Sequence, residues 1–147
     1  MKTIFKFFVC CTLIGQLYSP MAQSADTDDM FIIRSTEKTP EAVVRAIKKY
    51  SKQMKWEFLG TSKVKQGQVT LVKICIHEVG RVLWTVGPHV SAMLPCGNLG
   101  VYQNKGKTEI SLLDPRYMQV LYPHPAIEKA SAMAQPLLMK MLETVVE

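Results

Sequence analysis

Residues 56–76 read WEFLGTSKVKQGQVTLVKICI, two runs rich in β-branched and aromatic side chains on either side of Lys65-Gln66-Gly67-Gln68. A short glycine-containing break between two such runs predicts an antiparallel hairpin, with strands over 56–64 and 69–76. Side chains alternate along a strand, so Val72, Ile74 and Ile76 share one face while Leu71, Lys73 and Cys75 share the other. Cys75 is thereby set beside a lysine.

Upstream of the hairpin, residues 31–35 are short and apolar and predict a first strand. Thr39-Pro40-Glu41 predicts a helix start: the threonine hydroxyl accepts from orphan amides, proline suits the first helical position and glutamate suits the positive end of the dipole. Val43, Ile47, Tyr50 and Met54 recur at helical spacing and form its apolar face. The opposite face carries Arg45, Lys48, Lys49, Lys52 and Lys55, and the plainest account of it is a solvated surface. Downstream, Val79, Val82, Leu83 and Val86 predict a short helix that Gly87-Pro88 stops. Strands over 99–103 and 108–113 follow, joined by Asn104-Lys105-Gly106-Lys107, a second hairpin signal. Asp114-Pro115 ends the strand and a loop with Tyr117, Tyr122 and Pro123 leads to a final helix over 125–146, which Pro136 is expected to kink or divide. The order β-α-β-β-(α)-β-β-α describes one α+β domain.

The whole chain has 147 residues, four cysteines and a formal charge of +6, but these totals join two objects. Residues 1–25 carry Lys2 and Lys6 at the start of an apolar stretch, then Pro20 and the small residues Ala22, Ser24 and Ala25, which is the pattern of a secretory signal peptide cleaved after Ser24 or Ala25. The stretch is too short to span a bilayer, and no other run is long and apolar enough to do so. Its removal leaves 122 residues, a charge of +4 and one cysteine pair, Cys75 and Cys96. The expected organisation is therefore a signal peptide over 1–25, an N-terminal segment over 26–34 entering the first strand, and a domain over 35–147, in the periplasm or secreted. The modest recounted charge and the exported compartment argue against a nucleic-acid partner.

The stretch from Val90 through Met93-Leu94-Pro95-Cys96 to Tyr102, with Gly106-Lys107-Thr108 and Asp114-Pro115 behind it, resembles the domain of unknown function 302 family over roughly residues 32–147. Cys75 stands where the family has a cysteine, at the end of the strand preceding the central helix. The resemblance implies a curved antiparallel sheet covered by helices, similar to the TATA-box-binding-protein class, and a homodimer. It implies no general activity, and DNA binding does not travel with a fold.

Two constellations carry chemistry. Cys75 and Cys96, if oxidised, close a loop of about 20 residues worth roughly 3 kcal/mol. Because intracellular relatives carry both cysteines, the resemblance favours a pocket that both sulfurs share, with Pro95 at its turn and Lys73 on the Cys75 face. The second constellation is Cys75-x-His77-Glu78 with Cys96, a sulfur, imidazole and carboxylate set suited to zinc or copper; on a strand, Cys75 and His77 project to the same face. His89 and His124 are expected in loops. Serine-nucleophile, zinc-protease, phosphate-loop and dinucleotide motifs are absent from the sequence. The expectation is a non-enzymatic, dimeric module binding a small ligand near Cys75 and Cys96, with thiol- or metal-dependent sulfur or redox chemistry at those residues and His77 as the alternative.

Overall fold

The computed structural model describes residues 30–93 and 99–147, so the expected signal peptide lies outside the described residues. Strand β1 (Phe31–Thr36) leads into helix α1 (Pro40–Gln53). Thr39 Oγ1 accepts from the Ala42 amide at 3.3 Å, and Pro40 and Glu41 occupy the first turn. Val43, Ile47 and Tyr50 are buried as the helical period requires, but Met54 is 40% exposed. The helix has ended one residue earlier, and Lys55 at φ 58° turns the chain away.

Strands β2 (Glu57–Val64) and β3 (Val69–Cys75) form the first hairpin. Its turn takes Lys65, Gln66 and Gly67 through positive φ, and glycine closes that run without a Cβ penalty. Helix α2 (His77–Leu83) starts directly after β3, so His77 opens a helix instead of extending the strand. A 3₁₀ segment, Pro88–Met93, follows. Strands β4 (Leu99–Asn104) and β5 (Lys107–Leu113) form the second hairpin, where Lys105 and Gly106 both have positive φ, the two-residue turn that matches strand twist.

The expected loop after β5 contains a helix, α3 (Tyr117–Leu121). Five residues are too few to show a period, and tertiary contacts hold them: Met118 is 1% exposed in the core, and the Asp114 carboxylate accepts from the Arg116 amide at 2.9 Å. Helix α4 (Pro125–Val146) runs through Pro136 as one element, so of the expected kink or division, division does not occur. The carbonyl that proline leaves without a donor belongs to Ala132 on the exposed face, where water can satisfy it. On either side of the proline, Ala130, Ala134, Leu138 and Met141 enter one core and hold the helix together.

His124 caps α4 with its imidazole, Nδ1 accepting from the Ala126 amide at 3.1 Å. His124→Ala is expected to lower stability by about 1 kcal/mol and His124→Asn to retain most of it. Chemical denaturation of both variants measures this, and an alanine variant as stable as the parent would show the cap contributes nothing. At the other end of α4, Lys38 Nζ and Thr36 Oγ1 donate to the carbonyls of Val145 and Val146 at 3.0 and 2.9 Å.

The strands form one antiparallel sheet in the order β1-β5-β4-β3-β2. Val72, Ile74, Leu99, Val101, Ile110 and Leu112 lie on its covered face and join Val43 and Ile47 of α1 and Ile127, Leu138, Met141 and Leu142 of α4 in one core. Each such side chain contributes roughly 1.5–3 kcal/mol on burial. Together these elements are the expected α+β fold. The other sheet face has no helix over it among the described residues, an arrangement antiparallel sheets tolerate. No helix among the described residues is long and apolar enough to cross a membrane.

Candidate metal centre

Cys75 is the last residue of β3 and Glu57 the first of β2, and they are directly paired across the hairpin on the uncovered face. An uninterrupted register from the Val64–Val69 pair would instead set Phe58 against Cys75. Between Phe58 and Gly60 the pairing shifts by one residue, leaving Leu59 as the extra residue of a bulge. Gly60 at φ 123° accommodates it. The bulge turns Phe58 onto the core face and delivers Glu57 to the cysteine.

His77 reaches the same place from the first turn of α2. Single ligand atoms of Glu57, Cys75 and His77 all lie within 4.8 Å of one another. His77 Nε2 is 4.0 Å from Glu57 Oε2, with both side chains more than half exposed, while Cys75 is half-buried and has no disulfide partner among the described residues. Zinc held at about 2.0–2.3 Å needs its tetrahedral ligands some 3.3–3.7 Å apart, so separations of up to 4.8 Å would have to shorten by about an ångström for all three to bind one ion. Soft sulfur, imidazole and carboxylate together suit zinc or copper rather than a hard cation.

Of the residues singled out in the sequence, Cys75 and His77 are brought together. Glu78 is exposed on the first turn of α2 and is not part of the trio. Glu57 supplies the carboxylate instead. It was missed because hairpin pairing counted from the turn places it against Ile76; Gly60, a glycine inside a strand pattern, was the one local sign of a bulge. Lys73 is exposed on the Cys75 face, opposite Gly60. Pro95 and Cys96 lie outside the described residues. Away from this site, Tyr122 brings the other two histidines together, stacked on His124 with ring centroids 6.1 Å apart and edge-on to His89 at 6.0 Å.

The sequence profile of the domain of unknown function DUF302 matches residues 31–145. Among solved structures, the chain resembles the crystal structure of an uncharacterized conserved DUF302 protein from Bacillus stearothermophilus. The TM-score is 0.71 at 17% identity over 79% of this chain and 98% of that one. At that identity the likeness concerns the fold alone. A comparison with curated proteins finds no match.

Proposed function

The chain belongs to the DUF302 family, domains of unknown function, and on that premise we propose that it is an exported, dimeric binding module that holds one zinc or copper ion between Cys75, His77 and Glu57. The observation carrying the metal reading is the convergence of three chemically different ligand atoms within 4.8 Å from three separate elements. Three protein ligands leave a fourth position open, and two of the three side chains face solvent, which suits an exchangeable ion or a metal that takes a further small ligand. The role proposed for the set is binding, with the open fourth position taking a small ligand.

The dimer reading rests on the uncovered sheet face. Phe31, Ile33 and Val64 there are 51%, 45% and 41% exposed, with Leu71, Tyr102 and Leu113 half-buried on the same face. An apolar patch of this extent suits a second copy of the same face. Export rests on the pattern of residues 1–25.

Native mass spectrometry of the protein expressed with its leader and recovered from the periplasm reads all three properties together. The expected species lacks residues 1–24 or 1–25, has twice the subunit mass and carries one metal ion per subunit. Ile33→Asp is expected to halve the mass while leaving the circular dichroism spectrum unchanged. An unprocessed chain, a monomeric parent, or protein that stays metal-free after exposure to zinc and copper would each remove the corresponding part of the reading.

A further inference from the structure

We propose a second site, independent of the metal centre: the groove between α1 and β2 binds a small anionic molecule with a planar apolar body, such as an aryl sulfate, phosphate or carboxylate. The groove has a volume of about 510 Å³ and is lined by Arg45, Lys48, Lys49, Lys52, Trp56 and Phe58. That volume lies within the range of small-molecule sites. The four cations follow one another at helical spacing along the outer face of α1, and no acidic residue stands between Glu41 and Glu57.

This composition differs from an ordinary solvated helix face. Such faces intersperse opposite charges that stabilise one another at a spacing of four residues. On α1 Glu41 stands four residues before Arg45, but Lys48, Lys49 and Lys52 have no acidic residue within four positions and repel one another. Among the described residues none of the four cationic side chains forms an ion pair or donates a hydrogen bond. The mature segment carries a net charge of +4, so this groove holds as many positive charges as the whole excess. An anion seated there relieves the repulsion and takes up the unused donors.

The aromatic pair defines the other half of the ligand. Trp56 is oriented by an edge-on contact with Tyr50, at 5.5 Å between centroids and 65° between planes. Lys48 Nζ stands 5.6 Å from the centre of the Phe58 ring. Both rings pack against the core on one side and stay partly exposed on the other. A flat apolar group can therefore lie against them while its acidic group meets the lysines above. A bilayer fits less well, because the apolar side of α1 is already buried in the core and the rings line a recess.

Calorimetric titration of the full protein with 2-naphthalenesulfonate tests the assignment. Saturable one-to-one binding is expected, weakened at least about ten-fold by the double substitution Lys48→Glu with Lys52→Glu and several-fold by raised salt. Trp56→Ala is expected to weaken it comparably, and inorganic sulfate to bind at least about ten-fold more weakly. Cys75→Ser should leave it unchanged, which separates this site from the metal centre. Lys48 and Lys52 are exposed, so the charge-reversed protein is expected to fold, and its circular dichroism spectrum checks this. The proposal is overturned by absence of saturation below about 1 mM, by binding indifferent to charge reversal, or by binding seen only with phosphatidylglycerol vesicles or an oligonucleotide.

Discussion

Asp114→Ala is expected to destabilise the domain by about 2–3 kcal/mol, the loss of charge-assisted hydrogen bonds to a buried carboxylate. The Asp114 side chain is 2% exposed and its partner Arg116 is 67% exposed. One carboxylate oxygen accepts from the Arg116 amide at 2.9 Å, and the other accepts from Arg116 Nε at 2.9 Å and from a terminal guanidinium nitrogen at 2.6 Å. The backbone of Asp114 is also engaged, its amide donating to the Met30 carbonyl and its carbonyl accepting from the Tyr117 amide. The residue thus ties the end of β5, the start of β1 and the entry to α3 together.

The effect has a definite pH dependence. Burial alone would push the Asp114 carboxyl upward, but the hydrogen bonds and charge of Arg116 outweigh it and hold the group below its ordinary value. A carboxyl depressed in the folded state contributes its stabilisation fully above the unfolded value of about 3.9 and loses it as pH falls through the folded value. Asp114→Asn keeps an acceptor for the Arg116 amide and removes the charge, so its deficit against the parent should be largest near neutral pH and shrink in strong acid. Denaturant titrations at both ends of that range measure it. Equal deficits at neutral and strongly acid pH would assign the whole effect to shape and hydrogen bonding, with nothing left for the charge.

Cys75→Ser is expected to reduce zinc affinity at least about 100-fold, since loss of groups merely supporting a ligand already costs 10–100-fold. His77→Ala should have a similar effect and Glu57→Gln a smaller one of about ten-fold. Glu78→Gln, one residue beyond His77 but outside the trio, should leave affinity unchanged. Competition with a chromophoric chelator gives the affinities. In the cobalt-loaded protein, the sulfur-to-metal absorption band should vanish in Cys75→Ser and persist in Glu57→Gln. If Glu78→Gln weakens binding as much as Glu57→Gln, the carboxylate has been misassigned. Zinc affinity that Cys75→Ser leaves intact would remove the site altogether.

Much of this molecule follows from neighbouring residues. Thr39-Pro40-Glu41 begins α1 where its capping chemistry says it should, and the glycines at 67 and 106 sit in the two hairpin turns. The alternation around Ile74 separates a core face from the face that carries Cys75. Propensity, capping and turn geometry act over a few residues, so a single chain displays them directly. His77 was also legible as a companion of Cys75, although it reaches the site from a helix.

Other features arise between segments far apart in the chain. The insertion of β5 between β1 and β4, the recruitment of α3 by Met118 and Asp114, and the continuity of α4 through Pro136 each depend on what packs alongside. The bulge at Leu59 is the decisive case. One unpaired residue moves every side chain beyond it to a new partner, and so Glu57 rather than Glu78 completes the trio with Cys75 and His77. Local pattern specifies which residues make strands and helices, whereas register and burial emerge only when distant elements compete for the same core.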